Sequence, residues 1–179
     1  MTKAPTAIGI CTMILLWLFF GFRMEAQTAI YATFTAGKLN VTGTDWIYGG
    51  QAGIYHDFLP IPMLHIGLDG RAQILDKGRT KLISGMAGPR IAIKPWAIPI
   101  RPYVEALFGV GHVEFNTAND GNPNEASETD FEYQFVGGLD LTLLPHIDWR
   151  VGEFSYGGVS GLSQSLHPKT ASTGLVVRF

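Results

Sequence analysis

The stretch Phe131-Glu132-Tyr133-Gln134-Phe135-Val136-Gly137-Gly138-Leu139-Asp140-Leu141-Thr142-Leu143 decides the reading of this chain. Phe131, Tyr133, Phe135, Gly137, Leu139, Leu141 and Leu143 fill one set of alternate positions. Glu132, Gln134, Val136, Gly138, Asp140 and Thr142 fill the other. A period of two belongs to a β-strand, whose successive side chains point to opposite faces. The segment therefore predicts a strand with one apolar face and one polar face.

The pattern recurs in both directions. Leu64, Ile66, Leu68, Gly70, Ala72 and Ile74 alternate with His65, Gly67, Asp69, Arg71 and Gln73. In the last segment Phe179, Val177, Leu175, Thr173 and Ala171 oppose Arg178, Val176, Gly174, Ser172 and Thr170. Eight such segments are expected, at 28–38, 45–58, 63–75, 80–93, 101–115, 130–143, 147–158 and 170–179. The fourth shifts register near Gly85–Gly88 and the seventh near Gly152-Glu153, and a bulge at glycine would explain both. Short proline-bearing turns (Leu59 to Pro62, Pro95 to Pro99, Leu144 to His146) alternate with polar connections. The longest of these run from Asn116 to Asp130 and from Val159 to Lys169. One end of the array thus carries tight turns and the other long hydrophilic loops.

Residues 1–26 stand apart. Lys3 opens a short positive region, Ala7 to Phe22 is apolar or neutral, and Met24-Glu25-Ala26 ends on a small residue. That order predicts an export signal, leaving 27–179 as the mature domain. The only cysteine, Cys11, would leave with it, and no disulfide framework is possible. The chain has 179 residues, 13 Lys+Arg against 15 Asp+Glu, and a net charge of −2. That balance argues against a nucleic-acid partner, which needs a basic patch. Only 16% of residues are charged, against about 25% in soluble domains.

Eight strands with two unlike faces close into a barrel, and volume decides which face is inside. An eight-stranded bore is just wide enough for side chains to fill it. Large aromatics from every strand would overfill it. The polar face, with its glycines and with Asp69, Arg71, Arg90, Arg101, Glu105, Glu132, Gln134, Asp140, Arg150 and Arg178, fits inside if its charges pair. The apolar face then meets lipid. Aromatics near segment ends (Trp46, Tyr48, Phe58, Trp96, Phe115, Phe131, Tyr133, Trp149, Phe179) would form interfacial girdles. The competing arrangement is a soluble, lipocalin-like carrier with the apolar face inside.

In its signal segment, its eight alternating strands, its turn–loop asymmetry and its final Gly174-Leu175-Val176-Val177-Arg178-Phe179, the chain resembles the OmpA/OmpX-like eight-stranded outer-membrane β-barrels of Gram-negative bacteria. The resemblance covers about 27–179. It implies an all-β, antiparallel up-and-down transmembrane barrel in the outer membrane. It also implies that Leu175, Val177 and Phe179 form the C-terminal signal read by the barrel assembly machinery. The expected role is structural or surface-interacting, with outer-membrane lipids as surroundings, an unknown outside ligand, no cofactor and a monomeric state. A narrow porin-like channel and a lipid-modifying enzyme are the alternatives. The His-x-Ser-Asn signature of lipid A deacylase barrels is absent, since His167 precedes Pro168-Lys169-Thr170. A grouping of His112, Glu114 and Ser155 stays open to geometry. Asp120, Asn122, Asn124 and Glu125 could attract a divalent cation weakly.

Overall fold

A computed structural model describes residues 27–38, 46–61, 63–77, 80–95, 97–119, 122–160 and 167–179. The expected export signal at 1–26 lies outside the described residues. The strands are β1 (Gln27–Lys38), β2 (Trp46–Ile61), β3 (Leu64–Lys77), β4 (Thr80–Ile93), β5 (Ile100–Asn119), β6 (Asn122–Leu144), β7 (Ile147–Ser160) and β8 (Lys169–Arg178). Each pairs antiparallel with the next, and β8 pairs back onto β1 to close the barrel. Closure leaves no strand edge along the paired wall, as a bilayer requires of backbone groups that no water can satisfy. At the seam Phe179 N donates to Thr28 O at 2.9 Å, and Thr28 N donates to Phe179 O at 3.3 Å.

The period of two survives folding. In β6, Gln134 is 2% exposed and its neighbour Phe135 56%. Ile30, Phe34, Ile54, Leu68, Ile74, Ile91, Val104, Phe108 and Phe154 face outward from six of the strands, Phe135 from β6 and Leu175 from β8. The interior holds Asp69, Arg71, Arg90, Glu105, Asp140 and Arg150 among other buried charged residues. Such a wall is inverted relative to a soluble carrier, so the lipocalin-like arrangement is excluded. Two aromatic bands bound the apolar wall. Trp46, Tyr48, Phe131 and Tyr156 are exposed near one end, and Phe58, Trp149 and Phe179 near the other. Trp46 and Phe58 are twelve positions apart on β2. At about 3.3 Å per residue and a tilt of about 40° that spans ~30 Å, close to a bilayer's hydrocarbon core. Trp96 and the side chain of Phe115 fall outside the described residues.

Three sequence expectations need correction. The stretch 59–62 is not all turn: β2 runs through Pro60 to Ile61 after a register shift between Asp57 and Leu59. Met63 lies in the turn before β3 and takes a φ of 69°. The expected loop 116–130 is largely strand, because β5 and β6 continue as a two-stranded arm that pairs out to Asn119 and Asn122. The candidate cation ligands Asn122, Asn124 and Glu125 lie in that arm, and Asp120 is outside the described residues. No register shift occurs at Gly85–Gly88. β4 pairs evenly with β3 from Thr80 to Ile93. Leu82, Met86 and Ala92 are apolar yet face inward, and that made the apolar set seem to change faces. The expected shift near Gly152-Glu153 is present.

Candidate functional site

The inward positions stack in layers along the bore. At the loop end Ile47, Leu75, Leu82, Val113 and Val159 form an apolar cap. Below it Gln134 Nε2 donates to Glu132 at 2.9 Å and to Gln73 at 3.2 Å. Glu132 is fully buried, and no cation among the described residues pairs with it. It sits close against Gly111, where any side chain would collide with its carboxylate.

The middle layer is a closed ring of alternating charge. Arg71 (β3) binds Glu105 (β5), and Glu105 binds Arg90 (β4). Arg90 reaches Asp140 (β6) at 3.4 Å. Asp140 accepts from Arg150 Nε (β7) at 3.0 Å. Arg150 reaches Glu153 (β7) at 2.9 Å, and Glu153 returns to Arg71 at 2.9 Å. Asp69 joins from the side, accepting from Arg71 Nε at 3.1 Å and from the Tyr31 hydroxyl at 2.8 Å. Tyr103 donates to Glu153 at 2.6 Å, and Gln51 also donates to it. The arginines lie on tyrosine faces as well: Arg90 is 3.9 Å from the Tyr103 centroid and 4.1 Å from that of Tyr55, and Arg150 is 4.1 Å from that of Tyr31. These rings fit because they lie across glycines on the neighbouring strand. Tyr31 is directly opposite Gly53 and Tyr103 opposite Gly138, and a Cβ at either glycine would overlap the ring. Every charged side chain of the ring is out of contact with solvent. Charges this deep cost several kcal/mol each unless paired and hydrogen-bonded, and here each has at least two opposite partners.

Glu153 belongs to this ring, although a strict period of two from Arg150 would turn it toward lipid. A bulge resolves the parity. Leu139 pairs with Gly152 and Asp140 with Arg150, so Val151 is the extra residue. The same shift appears against β8, where Arg150 pairs with Gly174 and Glu153 with Ser172. The Thr173 hydroxyl donates to the Arg150 carbonyl at 2.9 Å and accepts from Trp149 Nε1 at 3.1 Å, which ties the irregular backbone down. The sequence signal for Glu153 was the apolar register shift at Gly152-Glu153 itself. Its consequence, that a carboxylate three residues from Arg150 shares its face, needs the bulge to be worked through.

The turn end is looser. Arg178 donates to Asp148 at 2.6 Å. Arg101 pairs with no carboxylate among the described residues and donates through both terminal nitrogens to Gln27 Oε1 at 3.0 Å. Asp57 is buried, with His65 Nδ1 3.6 Å from its Oδ2. Lys94, in the turn after β4, has its amine pulled below the usual lysine range by burial and by the Arg101 and Arg178 cations. The ring thus gathers Asp69, Arg71, Arg90, Glu105, Asp140 and Arg150, while Glu132, Arg101 and Arg178 sit in the layers above and below. Leu175, Val177 and Phe179 are exposed on the outer face. His112 and Ser155 do not meet. His112 bonds Thr129 at 2.7 Å on the outward side, whereas Ser155 is inside the bore with Thr170 at 2.6 Å.

The sequence matches no protein-family model and no curated protein. Its fold is shared with solved outer-membrane barrels. Neisserial surface protein A is 15% identical with a TM-score of 0.66. Ail, the attachment invasion locus protein of Yersinia pestis, is 18% identical with a TM-score of 0.59. The N-terminal β-barrel domain of Pseudomonas aeruginosa OprF is 17% identical with a TM-score of 0.51. Each comparison covers 87% of this chain and 100% of the other. At such identities the likeness is one of fold: a closed, eight-stranded, antiparallel outer-membrane β-barrel.

Proposed function

We propose that this chain is an integral outer-membrane barrel whose bore is closed and whose role is structural or surface-interacting. The observation that carries this reading is the closed ring Arg71–Glu105–Arg90–Asp140–Arg150–Glu153. It draws on five strands, and tyrosines from three strands fill the space beside it. With the apolar cap above it, the ring leaves the two ends as the surfaces able to meet partners. The fold likeness to surface and attachment proteins agrees with such a role. A non-enzymatic role fits the separation of His112 from Ser155. Leu175, Val177 and Phe179 lie where a barrel assembly machinery could read them during insertion.

Planar-bilayer recording tests the closed bore. The folded protein should give no steady single-channel openings. Reproducible ion-selective steps in the wild type would replace this reading with that of a narrow channel.

A further inference from the structure

At the loop end, one line of outward residues crosses four neighbouring strands. Trp46 (β2) is directly opposite Lys38 (β1), Lys38 opposite Lys169 (β8), and Lys169 opposite Tyr156 (β7). The order is aromatic, cation, cation, aromatic. Like charges directly opposite one another on a sheet destabilise it. Among the described residues neither lysine forms an ion pair. Each leans outward from the pair: Lys38 Nζ is 4.8 Å from the Trp46 ring, and Lys169 Nζ is 5.9 Å from the Tyr156 ring.

The next outward row toward the membrane centre reads Tyr48, Ala36, Ala171, Phe154. Tyr48 and Phe154 are large and strongly exposed, and between them the wall drops to two alanines. Phe34 stacks on Tyr48 with centroids 6.3 Å apart and braces one side. The result is a shallow apolar trough three strand spacings wide, about 14 Å, with a pair of cations at its mouth that no carboxylate among the described residues neutralises. A lysine cation at this height lies at the headgroup level, with the trough below it at acyl-chain depth.

We propose that this row binds one anionic, phosphate-bearing membrane lipid in preference to a zwitterionic one. The headgroup phosphate sits between the Lys38 and Lys169 ammonium groups, relieving their repulsion. The first methylenes of an acyl chain lie over Ala36 and Ala171, between Tyr48 and Phe154. The site rests on the membrane reading above and adds a lipid preference to it.

Trp46 reports on the site directly. The protein carrying Trp17→Phe, Trp96→Phe and Trp149→Phe has Trp46 as its sole tryptophan. It is folded into phosphatidylcholine vesicles containing a minor fraction of lipid brominated on its acyl chains, either phosphatidylglycerol or phosphatidylcholine. Brominated phosphatidylglycerol should quench Trp46 well beyond its mole fraction. The local enrichment should be on the order of fivefold for each lysine, the size expected of a surface cation meeting an anionic lipid. Lys38→Gln with Lys169→Gln should return quenching to the mole-fraction level, and Lys38→Arg with Lys169→Arg should restore it. Raising the salt concentration on the protein with both lysines intact should also remove the excess, which tests the site without relying on the variants folding. Equal quenching by the two brominated lipids, or an excess that survives both the glutamines and salt, would overturn the lipid site alone. No quenching by either lipid would overturn the membrane reading as well.

Discussion

Glu105 is the residue on which the lumen ring turns, because it alone bridges Arg71 and Arg90. Glu105→Ala would leave two buried guanidinium groups short of a partner, a loss of about 3–5 kcal/mol. Urea unfolding of the vesicle-folded protein should show the midpoint fall accordingly, and a shift below about 1 kcal/mol would mean the ring is not the interior's main electrostatic support. Glu132 is the opposite case. Its carboxylate is buried beside Gln134 with no cation among the described residues, so the charge costs more than it returns. Glu132→Gln keeps the shape and should leave stability unchanged or raised in the same assay; a loss above about 2 kcal/mol would point to a counter-charge at that level. Lys94 carries a pH dependence. Its amine binds a proton less readily in the folded protein than in the unfolded chain, so protonation opposes folding. Lys94→Gln should therefore stabilise the barrel at neutral pH. That gain should fade as pH rises through the lowered folded value toward the ordinary lysine value of 10.5, and a gain that persists above it would remove the electrostatic explanation.

At the level of the strand, the bulge in β7 makes the sharpest demand. Deleting Val151 removes only the extra residue. Arg150 and Glu153 would still face the bore, as a regular period of two then requires. Deleting Ser155 from the same strand would carry Glu153 to the lipid and Phe154 into the bore if the pairing beyond it is kept. The first variant should keep heat-modifiable mobility on a denaturing gel after folding into vesicles, and the second should lose it; the reverse order would refute the assigned bulge. Strand β3 offers a depth test. Leu68 faces outward near mid-strand, so Leu68→Arg should cost about 2–4 kcal/mol, whereas Tyr48→Arg at the aromatic band should cost about 1 kcal/mol or less. The elements differ in how plainly their sequences announce them. Phe131 to Leu143 is legible because lipid outside and charge inside force a strict alternation. The arm at 116–130 is not, since its residues lack that alternation and hydropathy carries no strand period there. Leu82 and Met86 misled because the bore is not polar throughout: its loop-end cap is apolar, and Met86, Leu107 and Val136 form part of a second apolar cluster beside the ring. The charged set could be assigned to one face from period alone, but not the closed order of its pairs, which depends on strand stagger around the barrel.

For the whole molecule, the account stands on which face meets lipid. An apolar exterior between two aromatic bands and an ion-paired interior make physical sense only in a bilayer, where the usual distribution of soluble proteins is inverted. Everything proposed of the closed bore and the lipid row depends on that inversion. Nitroxide scanning of β6 measures it most directly. With Cys11→Ser in the background, single cysteines at 131 to 136 and at 139 are spin-labelled in the vesicle-folded protein, and each is exposed to oxygen, which concentrates in lipid, and to a water-soluble nickel chelate. A two-residue period is expected, with 131, 133, 135 and 139 open to oxygen and 132, 134 and 136 shielded from both. Oxygen access at the even positions, or no two-residue period at all, would contradict it.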